Sequence, residues 1–472
     1  MKKNYYITTT APYVNADPHI GFALEIVQAD AMARFYRQLG EDVAFGFGTD
    51  EHGLKIYRKA IESNKDPLSY CDGYAKKFDE MKLALNLSTT HFIRTTDPSH
   101  QEAAQEFWKL CYKNGDIYKK NYRIKYCVGC ELEKTDSELV DGKCPIHPNL
   151  KIENYEEENY FFRFSKYQKK LLEFYDSNPD FVVPKNRQLE IRTFVQKGLE
   201  DFSVSRLKKK MPWGVDVPGD SDHVMYVWFD ALVFYISTLG WPKNNQEFVR
   251  WWPGTQVAGK DNLRQQTAIW QAMLMSAGLP NSKQVFIHGF ITSNGQKMSK
   301  SLGNVINPFD LVKKYGTDPV RYYLLKEIPP TEDGDFSYKR MEEIYNSDLA
   351  NELGNLASRL TNLGEKDNLT IITHRVGEKY GVQTVQLFSN FQFNLILEDI
   401  WKQIKTLNKT IDDFAPWKKT TSERKNFLLE CFKTLKKVGW QLAPFLPETS
   451  EKIVNASGGK IKKLPPLFPR LK

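Results

Sequence analysis

Apolar and polar positions change period several times along the chain. Residues 5–10 (Tyr-Tyr-Ile-Thr-Thr-Thr) are aromatic and β-branched, which predicts a strand. A loop, Ala11-Pro12-Tyr13-Val14-Asn15-Ala16, follows it. Ile20, Ala23, Leu24, Val27, Ala31 and Phe35 then recur at helical spacing. Asp17 is the expected N-cap, Pro18 the expected first helical residue, and Gly40 the expected stop. Residues 43–47 predict a second strand, ending in the turn Gly48-Thr49-Asp50-Glu51-His52-Gly53. Strand, helix, strand is the opening of a parallel α/β sheet with its functional loops at the carboxyl ends of the strands.

Residues 115–222 break this rhythm with clustered cysteines, an acidic run (156–158) and a basic run (208–210), and are expected to form an insertion. Strand and helix patterns resume over 224–235. A late strand is predicted at 285–291, followed by a Ser/Gly/Lys loop and by a helix starting at Asn307 and Pro308. Beyond about residue 348 helical patterns dominate. Leu349, Leu353, Leu356 and Leu360 form one stripe, and Phe432, Leu435, Val438 and Leu442 another, which predicts a helical bundle. The proline-rich tail, 464–469, is expected to be an extended strap.

The 472 residues suit about three domains. With 41% hydrophobic and 26% charged residues the chain is globular. It shows no apolar run able to span a bilayer and no signal-peptide core after Met1-Lys2-Lys3, so a cytoplasmic protein is expected. The net charge of +8 is uneven. Residues 347–472 hold 20 Lys and Arg against 13 Asp and Glu, while the remainder is nearly balanced at 46 against 45. That surplus fits either a docked polyanion or a solvated lysine-rich face. Cys71, Cys111 and Cys431 are scattered, whereas Cys127, Cys130 and Cys144 lie close together. This pattern reads as reduced thiols plus one metal site.

Three stretches carry chemistry. Pro18-His19-Ile20-Gly21-Phe22 places an imidazole at a helix start, where backbone N–H groups and the helix dipole would seat a phosphate and Gly21 would let a nucleoside approach. Taken alone, a histidine such as His19 at a helix start is more often a cap or surface group. Gly295-Gln296-Lys297-Met298-Ser299-Lys300-Ser301 offers two lysines to the charge building on a leaving pyrophosphate. Cys127-Val128-Gly129-Cys130, thirteen further residues and then Cys144-Pro145-Ile146-His147 match a closed tetrahedral Zn²⁺ site with no place left for water.

The His-Ile-Gly start together with the Lys-Met-Ser-Lys-Ser loop resembles the class I aminoacyl-tRNA synthetases, and over nearly the whole chain the methionyl-tRNA synthetase family. The resemblance extends through Gly48 to Gly53, Tyr226-Val227-Trp228-Phe229-Asp230-Ala231, Gly259-Lys260-Asp261, Asn355-Leu356-Ala357-Ser358-Arg359 and Phe414-Ala415-Pro416-Trp417. It implies an α/β fold in which a Rossmann-like parallel-sheet catalytic domain (1–114 and 224–290) is interrupted by a zinc-containing insertion (115–223). A loop and stem-contact region (291–346) and an α-helical anticodon-binding bundle (347–472) would follow. It also implies ATP-dependent activation of L-methionine and its transfer to tRNA(Met), with Mg²⁺ accompanying ATP and one structural Zn²⁺ per chain.

Residue by residue, the resemblance gives His19, Lys297 and Lys300 the charge-stabilising role, with Gly21, Gly259 and Asp261 on adenosine. Ala11, Tyr13, Trp228, Ala231, Tyr235 and Gln266 would line the methionine pocket, with Asp50 on the ammonium. Asn355, Arg359 and Trp417 would read the CAU anticodon. Two positions depart from the family pattern: Phe22 stands where His or Asn is usual, and Gln266 where His is frequent. No appended tRNA-binding domain follows the bundle, so a monomer is expected. The rival readings are another class I ligase and a non-catalytic RNA-binding protein derived from one.

Overall fold

The structure is a computed structural model that describes residues 3–134, 138–299, 303–372 and 379–471. Its centre is a six-stranded sheet. In chain order the strands are β1 (Asn4–Thr8), β2 (Asp42–Thr49), β3 (His91–Arg94), β4 (Val182–Val183), β5 (Thr255–Gly259) and β6 (Gln284–His288). Spatially they run β3-β2-β1-β5-β6-β4, all parallel. The order reverses between β1 and β5, and the crevice at their carboxyl ends is where an open parallel sheet binds its ligand. The sixth strand, β4, comes from within the stretch read as an insertion.

Alternation along the strands feeds two cores, one on each face of the sheet. Tyr5, Ile7, Val257 and Phe286 face α1 (Ile20–Gln38), while Tyr6, Ala258, Val285 and Ile287 face the other layer. The predicted helical stripe is buried in full, and Gly40, at φ +83°, leaves the helix as expected. The helix starts later than expected, however. His19 is the N-cap, and Asp17 instead pairs with Lys77 at 2.6 Å. The late strand is shorter than the predicted 285–291. It ends at His288, and Gly289 then passes the Glu332 backbone so closely that a Cβ would lie 2.1 Å from its carbonyl oxygen.

Residues 115–222 hold a long antiparallel pair, Ile117–Cys127 with Glu153–Phe162. The acidic run lies on this ribbon, where Lys210 pairs with Glu157 at 3.1 Å. The predicted helix after Asn307 spans Pro308–Tyr315, with the Asn307 side chain capping Phe309. C-terminal helices α2 (Asn355–Lys366), α3 (Phe393–Phe414) and α4 (Thr421–Leu442) form the bundle, with both predicted stripes buried. The tail crosses them as a strap: Leu464 and Leu471 donate backbone N–H groups to Thr361 and Asn346, and Phe468 is buried. The bundle shares one core with the sheet's α1 face. Among the described residues no helix is long and apolar enough to cross a membrane.

Candidate active site

The crevice begins at the start of α1. The His19 Nδ1 accepts the Gly21 N–H at 3.0 Å, so in this capped state any ring proton sits on Nε2, the nitrogen free to donate. His19 is exposed at the start of α1, and what desolvation its ring does undergo lowers its pKa. Gly21 has a local reason to be glycine: a Cβ there would sit 2.8 Å from the His19 ring. The expected seat of free backbone amides needs correction. The Ile20 N–H donates to the Ile306 carbonyl at 3.0 Å and the Gly21 N–H to His19, so both already have partners. Phe22 points away from the crevice, buried edge-to-face against Phe78 at 5.5 Å.

The Ile20–Ile306 bond fixes the lysine loop beside that helix start. The loop leaves through a hairpin, Ile291–Ser293 with Gln296–Lys297, and Asn304 closes it by accepting from the Ser299 N–H (2.9 Å) and donating to the Lys297 carbonyl (3.2 Å). The Lys297 side chain is exposed. Lys300 lies outside the described residues.

Across the switch point, β5 ends at Gly259. Asp261 follows in a single turn, and a Cβ on Gly259 would crowd its Oδ1 at 2.8 Å. Burial raises the Asp261 pKa, against the pull of His288 and Lys297. His288 ends β6. It faces the Glu25 carboxylate at 3.0 Å through Nε2 and the Gly289 carbonyl at 2.7 Å through Nδ1. Two acceptors facing the two ring nitrogens favour the charged form; burial alone would lower the pKa, but Glu25 reverses that and raises it. Glu25 also takes the backbone and hydroxyl protons of Thr10. Sequence reasoning passed over Glu25 and His288. The available signal was a carboxylate between the apolar residues Ala23, Leu24, Ile26 and Val27 of α1.

Asp50, past the end of β2, bridges backbone-to-backbone with Tyr13. Its side chain is buried and its Oδ1 has no partner. Burial, then the neighbouring Asp230, drive its pKa well above the usual carboxylate range. Asp230 behaves oppositely: burial would raise it, but His52 at 2.6 Å and His100 at 2.9 Å hold it down at about 2. These two histidines were also missed.

Ala231 and Tyr235 are buried, and Ala11, Tyr13 and Trp228 half-buried. Tyr13 and Trp228 border one small apolar cluster. Gln266 is buried in a π-helical turn, Gln265–Ile269, beside the Tyr235 hydroxyl. The Gln266 Oε1 and Trp228 Nε1 are buried without partners, like the Asp50 oxygen. Buried polar atoms left open in one region mark where a polar ligand belongs.

Ligand atoms of Cys127, Cys130, Cys144 and His147 lie within 4.8 Å of one another. The His147 Nδ1 is 3.1 Å from the Cys130 Sγ and 3.9 Å from the Cys127 Sγ. Three thiols and an imidazole at this separation fit tetrahedral Zn²⁺. Gly129 makes room for the imidazole, since a Cβ would lie 2.5 Å from the His147 Cγ. In the bundle, Arg359 pairs with Asp412 at 2.6 Å, and its guanidinium lies 5.2 Å from the centre of the Trp417 ring, which is 57% exposed. Asn355 is exposed one helical turn before Arg359.

A parallel sheet reversing at a crevice, with an imidazole-capped helix on one side and a lysine hairpin on the other, is the architecture of the class I tRNA synthetases. The family model described as "tRNA synthetases class I (M)" matches residues 5–153 and 148–361. The chain is 42% identical to the methionine–tRNA ligase of Caldanaerobacter subterraneus subsp. tengcongensis, covering 97% of this chain and 74% of that one. It is 41% identical to that of Thermosynechococcus vestitus, covering 98% and 91%. It superposes on the Mycobacterium tuberculosis methionyl-tRNA synthetase in complex with methionyl-adenylate with a TM-score of 0.92 at 36% identity, covering 99% of this chain and all of the other. The chain belongs to the methionine–tRNA ligase family.

Proposed function

We propose that the chain joins L-methionine to tRNA(Met) with a CAU anticodon in two steps at the β1–β5 crevice. The methionine carboxylate attacks the α-phosphorus of ATP, giving methionyl-adenylate and pyrophosphate. A ribose hydroxyl of the terminal adenosine of tRNA then attacks the acyl carbon, forming the methionyl ester and breaking the acyl–phosphate bond so that AMP leaves. Neither step needs a protein nucleophile; positioning and charge stabilisation suffice.

In this reading Asp50 takes the methionine ammonium, and Ala11, Tyr13, Trp228, Ala231, Tyr235 and Gln266 enclose the thioether side chain. Gly259 and Asp261 hold adenosine. The His19 Nε2 and the lysines of the loop, Lys297 and Lys300, meet the phosphates, which Mg²⁺ partly neutralises when bound. With the amides of Ile20 and Gly21 engaged, these side chains carry more of that task than the helix backbone does. Cys127, Cys130, Cys144 and His147 would hold a structural Zn²⁺, whose chemistry is to fix the knuckle. Action as a monomer is part of this reading, and the unpaired cysteines support a cytoplasmic location. The domain limits 1–114, 115–223, 224–290, 291–346 and 347–472 follow this division of labour.

The observation that carries the reading is the 3.0 Å bond from the Ile20 N–H to the Ile306 carbonyl, which holds the imidazole and the lysine hairpin on one crevice. Charging of tRNA transcripts with labelled methionine tests it. A CAU transcript should be charged and one with an altered anticodon should not. Trp417→Ala should raise the KM for tRNA by at least about tenfold, the loss of one stacked base, without changing adenylate formation. Charging that ignores both changes would refute the anticodon reading.

A further inference from the structure

We propose that Glu131 is a positioning residue that fastens the methionine pocket to the metal knuckle. The proposal rests on the reading of Tyr13 as a wall of that pocket. Glu131 directly follows Cys130, so the Cys127–Cys130 turn sets its backbone. It is 5% exposed and adopts a left-handed conformation, φ +53°. A non-glycine residue keeps such a backbone only where its surroundings over-determine it.

Those surroundings are four donors from four segments. The carboxylate Oε1 accepts the Tyr13 hydroxyl at 3.1 Å and the Lys55 backbone N–H at 2.5 Å. Oε2 accepts the Tyr126 hydroxyl, and the Glu131 carbonyl accepts the Tyr226 hydroxyl. Tyr13 belongs to the loop after β1. Lys55 opens the helix that follows the Asp50 turn, and Tyr226 caps the short helix bearing Trp228. Through its carboxylate and its backbone carbonyl, one residue of the knuckle therefore touches the three segments from which Tyr13, Asp50 and Trp228 project.

Gly53 leaves room for this contact: a Cβ there would lie 2.6 Å from the Tyr13 hydroxyl and 3.4 Å from the Glu131 Oε1. The Lys55 ammonium adds a second tie by donating to the Gly129 carbonyl inside the knuckle at 3.3 Å. A carboxylate suits this place because two acceptor oxygens serve three donors. A glutamine would turn an NH₂ toward one of them.

The test combines methionine titration by tryptophan fluorescence, the KM values for methionine and ATP in pyrophosphate exchange, and zinc content by mass spectrometry. Glu131→Ala and Tyr13→Phe should each weaken methionine binding about tenfold, the cost of a buried group left unpaired. The double variant should be no worse than either single, and the ATP KM and zinc content should match the parent. Chelating zinc from the parent should weaken methionine binding in the fluorescence titration, and chelation should add nothing in Glu131→Ala. If Glu131→Ala does not fold, Tyr13→Phe decides, since it removes only the hydroxyl. Parent-like methionine affinity in either single variant, or single effects that multiply in the double, would overturn the proposal. Tyr13→Ala separates the two levels. If it weakens methionine binding while Tyr13→Phe does not, only the Glu131 link fails; if it too binds normally, the pocket reading fails with it.

Discussion

In the proposed function Asp50 is the residue on which amino-acid binding turns. A buried carboxylate with an orphan oxygen destabilises the empty pocket, and an ammonium placed there relieves it. Because its pKa is raised by burial and by Asp230, Asp50 takes up a proton at a pH where an ordinary aspartate, titrating at about 4, stays ionised. Methionine affinity should therefore weaken as pH falls toward the acid range, and Asp50→Asn should remove that dependence. The same shift has a cost in the ligand-free protein. A folded-state pKa above the unfolded one means that stability falls as pH rises between them, so Asp50 is a burden to the ligand-free protein at pH above the unfolded aspartate value. Calorimetry of ligand-free Asp50→Asn at neutral pH should give a higher Tm, about 2–4 °C for each kcal/mol relieved. Its methionine Kd should rise by about 100-fold or more, as when one partner of a buried ion pair is lost. A lower Tm with unchanged Kd would contradict both halves. The sequence made Asp50 and His19 visible as chemical types in the right turns. It could not show that the His19 Nδ1 is spent on its own helix, or that Gly21 exists to admit that ring. The partners of Glu25 and Asp230 were equally hidden, because His288 lies 263 positions from Glu25 and His100 lies 130 from Asp230.

Elements were legible where their signals are local. The stripe of α1, the Gly40 stop, the Asn307 cap and the metal-ligand spacing all act within a few residues, and all fold as expected. The sheet was legible only in part. Its sixth strand is two residues long and is defined by a partner about a hundred positions away, which leaves no periodicity to read. The start of α1 was misplaced because Asp17 and Pro18 fit the N-terminal preferences equally well, while the fold gives that role to an imidazole. The knuckle provides the sharpest test at this scale. Gly129→Ala places a methyl against His147, so metal affinity measured by chelator competition should drop about 10- to 100-fold, the range for disturbing groups that orient a ligand. Unaltered affinity would mean that His147 is not a ligand.

At the scale of the whole molecule the sheet and the bundle are one body, and Arg321 shows why. It is fully buried, pairs with Asp30 of α1 at 2.7 Å, and donates to the carbonyls of Leu85, Pro444 and Phe445. Burial alone would raise the Asp30 pKa, but Arg321 and Arg34 reverse this and hold it below the ordinary range. Its stabilising contribution is therefore present above the unfolded aspartate value of about 4 and is lost as pH falls through the folded one. Arg321→Ala leaves Asp30 buried beside Arg34 alone and should cost about 3–5 kcal/mol in urea unfolding. A change below about 1 kcal/mol would exclude this ion pair as the tie between sheet and bundle. Composition foretold a basic C-terminal region but not that it would share its core with the catalytic layer.

The central claim is that the imidazole-capped helix and the lysine hairpin close on one ATP beside one methionine pocket. ATP–pyrophosphate exchange across a panel of amino acids measures it most directly. Exchange should depend on methionine, be lost on Asp50→Asn and be strongly slowed by Lys297→Ala at near-normal methionine affinity. Exchange driven by a different amino acid, or tRNA binding with no exchange at all, would contradict it.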